Sequence, residues 1–563
     1  MLLNDLGSLP ARTDVLIAGG GPAGLALATE LSSSGIDCVL VEPRTGASVQ
    51  PGAKLTNLRT MELIRRWGLA DALKTASELP KTVPSDVRYV TDMSGQLLGH
   101  IPDALHTGGI AAAPEPALWV SQYRLEEVLA ARPLASPHCR VLRGARLSGF
   151  ETTADGVVTE ITDVNGATRT LSARWLAGCD GARSVVRSML GIRLSGKGAS
   201  AENLAIVFDS DDIDVFDRFG PGVHYWTVGL RPDGILGPVD GGRRWWMHLH
   251  GFPPGIRVED LNLPDLMRGV LGREVSYEVL DVSTWRTHAL LADRYLQGRV
   301  VLLGDAAHLH PPMGGYGMNM AIADAVDVGW KLTALLQGYG DADLLSTYEA
   351  ERRPVHTFTI AEAVDNYRQL SALLSGLGPI DHEALRAPGT EGQQLRNTVG
   401  EAVLSVKRRE FDSVGLQLGF SYSRSPIVAR AADAPSPALE VESYTPTACP
   451  GHRLPHVWLP DGTAVVDHLD GFTLLRTART PAARDGAAAF VEAARGLGVP
   501  LHVAELDDPA LRAVCEADIV LVRPDTVVAW RGDAAHHDRA EEVLRLAVGR
   551  RDLCDGTVVA VAP

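Results

Sequence analysis

Short apolar runs separated by a glycine-rich break occupy the first forty residues of the chain. Residues 15–18 (Val-Leu-Ile-Ala) are enough for a buried strand and too few for a helix, whereas residues 25–31 place apolar side chains at helical spacing. A second apolar run, residues 38–41, ends in Glu42. Because a strand, a helix and a second strand in this order need a crossover connection, the pattern predicts two parallel strands.

Two later apolar runs also finish in small and acidic residues. One covers residues 175–180 and the other residues 300–305, far apart in the chain. Buried parallel strands that end in Gly and Asp suit a ligand bound across the carboxyl edge of a sheet. The pattern therefore predicts one sheet assembled from distant parts of the chain.

The segments around these runs have different patterns. Residues 224–228 and 245–250 are rich in Trp, Tyr and Val and predict strands of an inserted, mostly antiparallel sheet. A helical segment and a proline-rich link follow, and the C-terminal part alternates strand-like and helix-like stretches. The predicted fold class is α/β, with a Rossmann-type nucleotide-binding domain in residues 1–194 that resumes with helices in 291–430, an inserted sheet domain in 195–290 and a small α/β domain in 431–563.

Composition narrows the classes of function. The chain carries 69 acidic and 53 basic residues, a net charge of −16, which argues against a nucleic-acid partner because its phosphates would be repelled. The N-terminus lacks the charged and apolar regions of a signal peptide, and no stretch approaches the roughly 18 to 20 apolar residues that span a bilayer. Six scattered cysteines without a CxxC pair indicate reduced thiols. We therefore expect a cytoplasmic protein with no membrane or nucleic-acid partner.

The break after the first strand is a G-x-G-x-x-G motif that opens a helix. The first glycine permits a tight turn, the second lets the backbone approach a pyrophosphate and the third lets helix and strand pack closely. The helix N-terminus offers free N–H groups to the phosphates, and the acidic residue at the end of the second strand would bind ribose hydroxyls. The dinucleotide-binding residues predicted from this motif are Gly19, Gly21, Pro22, Ala23, Gly24 and Glu42.

Two further motifs accompany the later apolar runs. Residues 179–187 read Cys-Asp-Gly-Ala-Arg-Ser-Val-Val-Arg, and residues 304–319 read Gly-Asp-Ala-Ala-His-Leu-His-Pro-Pro-Met-Gly-Gly-Tyr-Gly-Met-Asn. In this order and spacing they resemble the single-component FAD-dependent aromatic hydroxylases, the flavoprotein monooxygenase family that includes p-hydroxybenzoate hydroxylase and phenol hydroxylase. The resemblance covers about residues 12–365.

The C-terminal part is similar to the thioredoxin-like domain of phenol hydroxylase and of aromatic-polyketide hydroxylases. Its marks are residues 451–458 and 521–530. Without a CxxC pair this domain cannot run thiol redox chemistry, so the resemblance implies a packing or dimerisation role. A homodimer is therefore among the expectations.

The resemblance implies roles for individual residues. The carboxylate of Asp305 would bind the FAD ribityl chain, and Arg44 and Gln122 would lie near the phosphates or adenosine. The loop from Pro312 to Asn319 would run beneath the isoalloxazine, where backbone N–H groups and the helix dipole would stabilise negative charge on reduced flavin. The cofactor-binding residues implied in this way are Arg44, Gln122, Asp180, Asp305, Pro312, Gly315, Gly317, Met318 and Asn319.

Asp180 and Arg187 are open to two interpretations. They match a family motif that links FAD binding with transient NAD(P)H contact, and they could equally form a structural ion pair. Two positions also depart from the family pattern: Gly52 replaces a frequent arginine, for which Lys54 is a candidate substitute, and Tyr316 stands where related polyketide-type loops often have Gln.

Four residues are candidates for the substrate pocket: Tyr225, Trp226, Trp246 and Pro311. The three aromatic ones could equally fill a sheet core. The histidine pairs 308/310 and 248/250 could each share a face, but no Cys or carboxylate spacing supports a metal, so no metal site is predicted.

The resemblance implies an enzyme that consumes NAD(P)H and O2. Only one G-x-G-x-x-G is present, so we expect firmly held FAD and a nicotinamide that visits briefly. In the family, a flavin C4a-hydroperoxide then hydroxylates a phenolic or polycyclic aromatic substrate, which here includes an aromatic polyketide. Alternatives are Baeyer–Villiger oxygenation or epoxidation on the same scaffold, and a flavin-binding or ligand-binding protein without turnover. No catalytic side chain is predicted, because the cofactor performs the difficult chemistry.

Overall fold

The computed structural model describes residues 1–3, 5–46, 48–198, 202–376, 380–429, 436–532 and 539–550, except the side chains of 370, 371 and 374–376. The expected domain boundary at residues 430 and 431 and the end of the C-terminal domain, residues 551–563, lie outside the described residues.

The described secondary structure comprises short strands and helices of very different length. The strands are β1 (Leu2–Leu3), β2 (Arg12–Ala18), β3 (Cys38–Glu42), β4 (Leu55–Thr56), β5 (Val87–Val90), β6 (Leu97–Ile101), β7 (Leu118–Trp119), β8 (Cys139–Arg143), β9 (Ala145–Thr152), β10 (Val157–Asp163), β11 (Thr168–Gly178), β12 (Leu194–Lys197), β13 (Glu202–Asp209), β14 (His224–Thr227), β15 (Gly234–Pro238), β16 (Arg244–Phe252), β17 (Glu278–Arg286), β18 (Ala289–Ala292), β19 (Leu296–Gln297), β20 (Val300–Leu302), β21 (His308–Leu309), β22 (Phe472–Arg476), β23 (Leu501–Glu505), β24 (Ile519–Val522) and β25 (Val528–Gly532). The helices are α1 (Pro22–Ser33), α2 (Leu58–Arg66), α3 (Ala70–Ala76), α4 (Gln122–Ala135), α5 (Val185–Met189), α6 (Val215–Phe219), α7 (Leu263–Leu271), α8 (Tyr316–Gln337), α9 (Thr347–Gly376), α10 (His382–Arg386), α11 (Thr390–Phe411), α12 (Val414–Leu418), α13 (Pro481–Leu497), α14 (Pro509–Cys515) and α15 (Ala540–Ala547).

The largest sheet contains the parallel strands that the sequence pattern predicts. β2 pairs in parallel with β3 on one side and with β11 on the other, and the end of β11 pairs in parallel with β20. Helix α1 packs between this sheet and helices α4 and α8. The carboxyl ends of β2, β3, β11 and β20 meet at one edge, which brings together residues that are far apart in sequence.

A seven-stranded sheet forms the second layer of the molecule. Its strand order is β17-β13-β16-β15-β14-β5-β6, antiparallel except for the β14–β5 pair. The sequence pattern placed this sheet within residues 195–290, but β5 and β6 lie within residues 87–101. The sheet is therefore completed by a hairpin from the first part of the nucleotide-binding domain.

The C-terminal domain has a four-stranded sheet in the order β23-β22-β24-β25. β22 and β23 are parallel and joined by α13, whereas β24 and β25 are antiparallel to their neighbours. This is the thioredoxin topology. Among its described strands and helices, α14 contains the one cysteine, Cys515, and this cysteine is buried. The predicted fold class, a Rossmann-type α/β domain with an inserted sheet and a thioredoxin-like domain, is confirmed.

None of the helices that the structure describes combines the length and the apolar character that crossing a bilayer requires.

Candidate active site

The glycine turn after β2 is shaped by close backbone contacts. A Cβ on Gly19, whose φ is +107°, would lie 2.2 Å from the carbonyl oxygen of Cys179, and a Cβ on Gly24 would lie 1.9 Å from that of Gly19. A Cβ on Gly21, in contrast, would meet no atom of the described residues within 4 Å. Gly19 and Gly24 therefore serve packing, whereas Gly21 borders open space at the N-terminus of α1, where an anionic ligand group fits.

Glu42, at the end of β3, is fixed by its neighbours. Its Oε2 accepts a hydrogen bond from the backbone N–H of Gly20 (2.6 Å), and its Oε1 accepts from the backbone N–H of Arg44 (2.9 Å) and from the Arg44 Nε (2.7 Å). Since a carboxylate oxygen can accept at least two hydrogen bonds, Oε2 retains capacity for a ribose hydroxyl. The carboxylate is thus oriented by the same turn that would hold the phosphates.

Arg44 and Gln122 meet through a shared carboxylate. The Arg44 Nη2 lies 3.3 Å from Glu126, and the Gln122 Nε2 donates to the same group at 2.9 Å. The Gln122 Oε1 accepts from the backbone N–H of Ala53 at 3.2 Å. The structure therefore places the two predicted residues side by side near the glycine turn.

Gly52, which replaces a frequent arginine, lies against this network. Its φ is +60°, in the left-handed region, and a Cβ there would be 2.7 Å from the Gln122 Oε1. An arginine in this backbone conformation would be strained and would displace Gln122. The backbone at position 52 thus suits glycine.

Asp180 and Arg187 do not form an ion pair within the described part of the chain. The Asp180 Oδ2 accepts from the backbone N–H of Val186 (3.0 Å), whereas Arg187 donates to the carbonyl oxygens of Ala306 (3.0 Å) and Ala182 (2.8 Å). The ion-pair interpretation is therefore wrong. The Asp180 Oδ1 is buried without a hydrogen-bond partner among the described residues, so a hydroxyl donor from a ligand fits there.

Asp305 lies in a short turn directly after β20. Its side chain reaches solvent, yet enough protein surrounds it that desolvation raises its pKa. The preceding residue, Gly304, is close to Ala23 of α1, since a Cβ on that glycine would lie 3.3 Å from the Ala23 Cβ. Asp305 therefore lies close to the first turn of α1.

The loop before α8 presents backbone rather than side chains. Gly314 and Gly315 have φ values of +84° and +67°, and no side chain caps the helix that begins at Tyr316. The first N–H groups of α8 are therefore available to a ligand, as is its positive dipole end. Gly317 and Met318 belong to this first turn, and Pro312 is exposed before it.

Asn319 uses its side chain within the protein. Its Oδ1 accepts from the backbone N–H of Asn57 (2.9 Å), and its Nδ2 donates to the carbonyl oxygens of Leu55 (2.9 Å) and Gly315 (2.7 Å). Asn319 thus fixes the loop and β4 relative to each other. Any role in cofactor binding passes through the position of that loop.

An aromatic face covers one side of the seven-stranded sheet. Neighbouring rings have centroid distances of 4.9 to 6.3 Å. The residues of this aromatic face are Tyr89, Trp119, His224, Trp226, Trp246, His248 and Phe411. His224, Trp226 and His248 are half-buried and the other four rings are buried. Burial lowers the pKa of His224 to about 3.

Tyr225 lies on the opposite side of the sheet. It is fully buried, packs against Phe216 and Phe219, and donates its hydroxyl hydrogen to the carbonyl oxygen of Gly220 at 2.6 Å. Because consecutive strand residues face opposite sides, Tyr225 cannot share a pocket with Trp226. The prediction of Tyr225 as a pocket residue is wrong. Pro311 is buried at the start of the loop that precedes α8, which contains Gly314 and Gly315 and is called the glycine loop below. The role of Pro311 in a pocket stays a prediction.

Polar atoms on the aromatic face lack protein partners. Within the described part of the chain, the indole N–H groups of Trp226 and Trp246, the Tyr89 hydroxyl and the His224 Nδ1 are buried without a hydrogen bond. A nearby indole, that of Trp285, shares this property. Buried donors are normally satisfied, so a ligand that carries acceptor oxygens would fit beside these indole and hydroxyl groups.

Sequence reasoning missed several residues of this face. His224 and His248 lie two positions from Trp226 and Trp246 on the same strands, so strand alternation could have found them. Tyr89 belongs to the β5–β6 hairpin, which lies outside the predicted bounds of the inserted sheet domain, residues 195–290. No local sequence pattern indicated this residue.

Two histidines and an aspartate form a buried cluster behind the Asp305 turn. His308 Nε2 lies 2.6 Å and His356 Nε2 lies 3.0 Å from oxygens of Asp324, and the Arg352 Nε donates to Asp324 at 2.8 Å. These ligand-type atoms lie within 4.8 Å of one another. The Arg352 guanidinium already balances the carboxylate charge, so the cluster is satisfied as a hydrogen-bonded support for the turn.

Comparisons with known families agree with this geometry. A family model described as an FAD binding domain matches residues 12–363, and a second, described as the C-terminal domain of aromatic-ring hydroxylases, matches residues 447–550. The chain belongs to the FAD-dependent aromatic-ring hydroxylases. The open space at Gly21, the free oxygen of Asp180 and the uncapped start of α8 fit the phosphate, hydroxyl and flavin parts of FAD.

Individual relatives match over nearly the whole length of this hydroxylase. Aklavinone 12-hydroxylase RdmE of Streptomyces purpurascens is 34% identical over 573 residues, which cover 96% of this chain and 99% of the relative. A structure of the rebeccamycin biosynthetic enzyme RebC with reduced flavin has a TM-score of 0.84 at 33% identity and covers 97% of this chain and 100% of its own. A ternary complex of aklavinone-11 hydroxylase with FAD and aklavinone has a TM-score of 0.78 at 32% identity, with 96% and 99% covered.

The prediction of an FAD-dependent monooxygenase that uses NAD(P)H is confirmed by this family membership. The relatives give no support to the Baeyer–Villiger or epoxidation alternative or to the alternative of a flavoprotein without turnover.

Proposed function

We propose that this monooxygenase hydroxylates a planar polycyclic aromatic substrate that carries several oxygen atoms, with O2 as co-substrate. The observation that carries the proposal is the aromatic face. Its rings offer stacking surfaces, and its indole N–H groups and hydroxyl have no hydrogen-bond partner among the residues that the structure describes. A polycyclic ring system with carbonyl or hydroxyl oxygens would satisfy both features. A simple phenol would cover fewer of these donors.

The aromatic face and the glycine loop are joined by two adjacent residues. Leu55 accepts a hydrogen bond from Asn319 beside the loop, and the Lys54 Nζ lies 4.0 Å from the ring centroid of Trp246 on the face. A substrate stacked on the face would therefore lie close to a flavin held by the loop.

Bound FAD, once reduced by NAD(P)H, supplies the activation of O2 from which one oxygen atom enters the substrate. The residues of the chain bind and orient. The glycine turn and the start of α1 would hold the pyrophosphate, Glu42 the ribose, and Asp180 and Asp305 the hydroxyls of the ribityl chain. The N-terminus of α8 would stabilise negative charge on the flavin, and the aromatic face would exclude water from the substrate.

The substrates named for relatives support a polycyclic assignment. Aklavinone appears in the names of a relative and of a neighbouring structure, and a tetracenomycin B2 monooxygenase-dioxygenase of Streptomyces olivaceus is 31% identical over 563 residues. A 2,4-dichlorophenol 6-monooxygenase is also related, at 28% identity over 601 residues. Simple phenols are therefore the competing class in the test.

The test is substrate-stimulated NAD(P)H oxidation by the FAD-loaded protein, with a panel of hydroxylated anthraquinones and naphthols compared with simple phenols. We expect stimulation by polycycles and a product that gains one oxygen atom from labelled O2 as a ring hydroxyl. Stimulation by simple phenols alone would overturn the polycyclic assignment, and a ring-expanded or epoxide product would overturn hydroxylation. The homodimer and the cytoplasmic location stay predictions; light scattering would test the first.

A further inference from the structure

Lys54 is a buried cation without a carboxylate partner. It lies just before β4 with 8% of its surface exposed, and its Nζ donates to the carbonyl oxygen of Gly52 at 3.0 Å. Its nearest other neighbour is the ring of Trp246, with 4.0 Å between the Nζ and the ring centroid. Within the described ranges no Asp or Glu oxygen comes within 4.0 Å of it, so its charge is matched only by a backbone dipole and an aromatic ring.

The other buried lysines of the described chain show what is missing. Lys331 lies 2.6 Å from oxygens of both Asp327 and Glu351. Lys407, which also faces an aromatic ring of the same sheet, is paired with Glu410. Lys54 thus differs from both in the absence of a carboxylate, although its burial is similar.

The groups around Lys54 cannot neutralise it. His224 and His248 face it from β14 and β16, and burial together with the nearby lysine charge lowers the pKa of both, so they are neutral at pH 7. Lys407 adds a second positive charge from α11, balanced by Glu410. Burial lowers the pKa of Lys54 itself to about 7, which shows how poorly the site solvates an ammonium.

We propose that Lys54 binds an anionic oxygen of the aromatic substrate, an ionised phenolic or enolic oxygen, and thereby selects substrates that carry one. The inference rests on the proposed function and names the residue that sets its specificity. A buried cation without a counter-ion is unfavourable in the free protein and becomes favourable when a ligand brings the missing negative charge. The adjacent indole N–H of Trp246 would donate to the same oxygen-rich edge of the ligand.

The direction in which Lys54 points favours the substrate over the cofactor phosphates. The ammonium packs on Trp246, which belongs to the inserted sheet, whereas the glycine turn and the Arg44–Glu126–Gln122 network lie in the nucleotide-binding domain. Gly52 separates that network from Lys54, since its carbonyl oxygen faces the ammonium and its α-carbon faces Gln122.

The experiment compares ionisable and non-ionisable probes on the FAD-loaded protein. The probes are alizarin, paired with its dimethyl ether, and 1-naphthol, paired with its methyl ether. Each ether keeps the ring system of its parent and cannot ionise. Wild type, Lys54→Met and Lys54→Arg are titrated by calorimetry, and difference spectra report whether the bound hydroxyl is ionised. Bound FAD per chain and the thermal midpoint of each variant are measured alongside.

We expect Lys54→Met to lose about tenfold or more in affinity for a hydroxyl probe and to lose the phenolate spectrum, while affinity for the methyl ethers stays unchanged. Lys54→Arg should retain most of the preference. Because removal of an unpaired buried charge relieves a desolvation cost, the ligand-free Lys54→Met protein should unfold at the same or a higher temperature than wild type. If Lys54 served only to stabilise the fold, Lys54→Met would unfold at a lower temperature than wild type.

Equal affinity of wild type and Lys54→Met for the hydroxyl probes would overturn the inference and leave the proposed function intact. A loss of FAD in Lys54→Met would overturn it in favour of a cofactor role. If the wild-type protein binds none of the polycyclic probes, the proposed function is overturned, and the inference with it.

Discussion

Arg523 of the thioredoxin-like domain binds the carboxylate of Glu351 of helix α9 with both terminal nitrogens of its guanidinium group. The Nη1–Oε1 and Nη2–Oε2 distances are 2.5 and 2.9 Å, and both side chains are fully buried. Lys331 of α8 binds the same carboxylate at 2.6 Å. The C-terminal domain is thus fixed to helices α8 and α9 through the Glu351 carboxylate, which favours a packing role for this domain.

Breaking this contact is expected to destabilise the protein strongly. Arg523→Met would leave Glu351 and Asp525 buried with less positive charge nearby, and removal of one partner of a buried pair costs about 3 to 5 kcal/mol. Urea unfolding measures this loss. Arg545→Met, which removes an exposed partner of Glu541, is the matched control and should change stability by less than about 1 kcal/mol. Equal effects of the two substitutions would contradict the prediction.

Two glycines of the same motif should respond differently to alanine. Gly24→Ala places a Cβ 1.9 Å from a carbonyl oxygen and should destabilise the fold by about 1 to 3 kcal/mol. Gly21→Ala meets no protein atom within 4 Å and has a negative φ of −78°, so stability without FAD should stay within about 0.5 kcal/mol.

The same Gly21→Ala methyl group would occupy the space of the pyrophosphate. FAD affinity should therefore fall about tenfold or more, as measured by fluorescence titration of the flavin-free protein. Unchanged FAD affinity in Gly21→Ala would show that the cofactor does not approach this turn.

Adjacent residues of β14 should separate binding from folding. Trp226→Ala removes a ring of the aromatic face and should weaken binding of a polycyclic probe about tenfold or more. Tyr225→Phe removes one hydroxyl that bonds to Gly220 on the other side of the sheet, so it should cost about 1 kcal/mol of stability and leave probe affinity unchanged. Calorimetric titration measures the probe affinity of both variants, and urea unfolding measures their stability. A loss of probe affinity in Tyr225→Phe as large as that in Trp226→Ala would contradict the prediction.

The burial of Lys54 predicts a pH-dependent stability difference. Its pKa is about 7 in the folded protein and 10.5 as the ordinary value, so the unfolded chain binds more protons between these limits. The cost of the buried charge is therefore full below pH 7 and disappears as the pH rises towards 10.5; each pKa unit corresponds to about 1.4 kcal/mol.

The excess stability of Lys54→Met over wild type should accordingly be largest near neutral or lower pH and shrink above it. Urea unfolding at about pH 6 and about pH 9 measures the difference. Lys81→Met, at an exposed position, should show a constant difference. A difference in the free energy of unfolding between Lys54→Met and wild type that does not change with pH would contradict the free-energy cost assigned to burial of the Lys54 charge.

Local patterns alone led to the prediction of the nucleotide-binding residues. The order strand, glycine turn, helix and strand fixes Gly19, Gly24 and Glu42 within one short segment, since each position depends on backbone contacts with near neighbours. Asp180 and Asp305 were also predictable, because they end parallel strands whose carboxyl edges must meet.

The substrate side of the site depended on tertiary structure. Alternation along β14 shows that Tyr225 and Trp226 face opposite sides. Which neighbours each side meets is decided only by the pairing of β14 with β5 and by the packing of α11 against Trp226. The sequence by itself determined that a dinucleotide cradle exists and where its glycines lie. Only the folded chain decided that Lys54 has no carboxylate partner among the described residues. A partner carboxylate can come from any distance along the chain, so its absence is a property of three-dimensional packing.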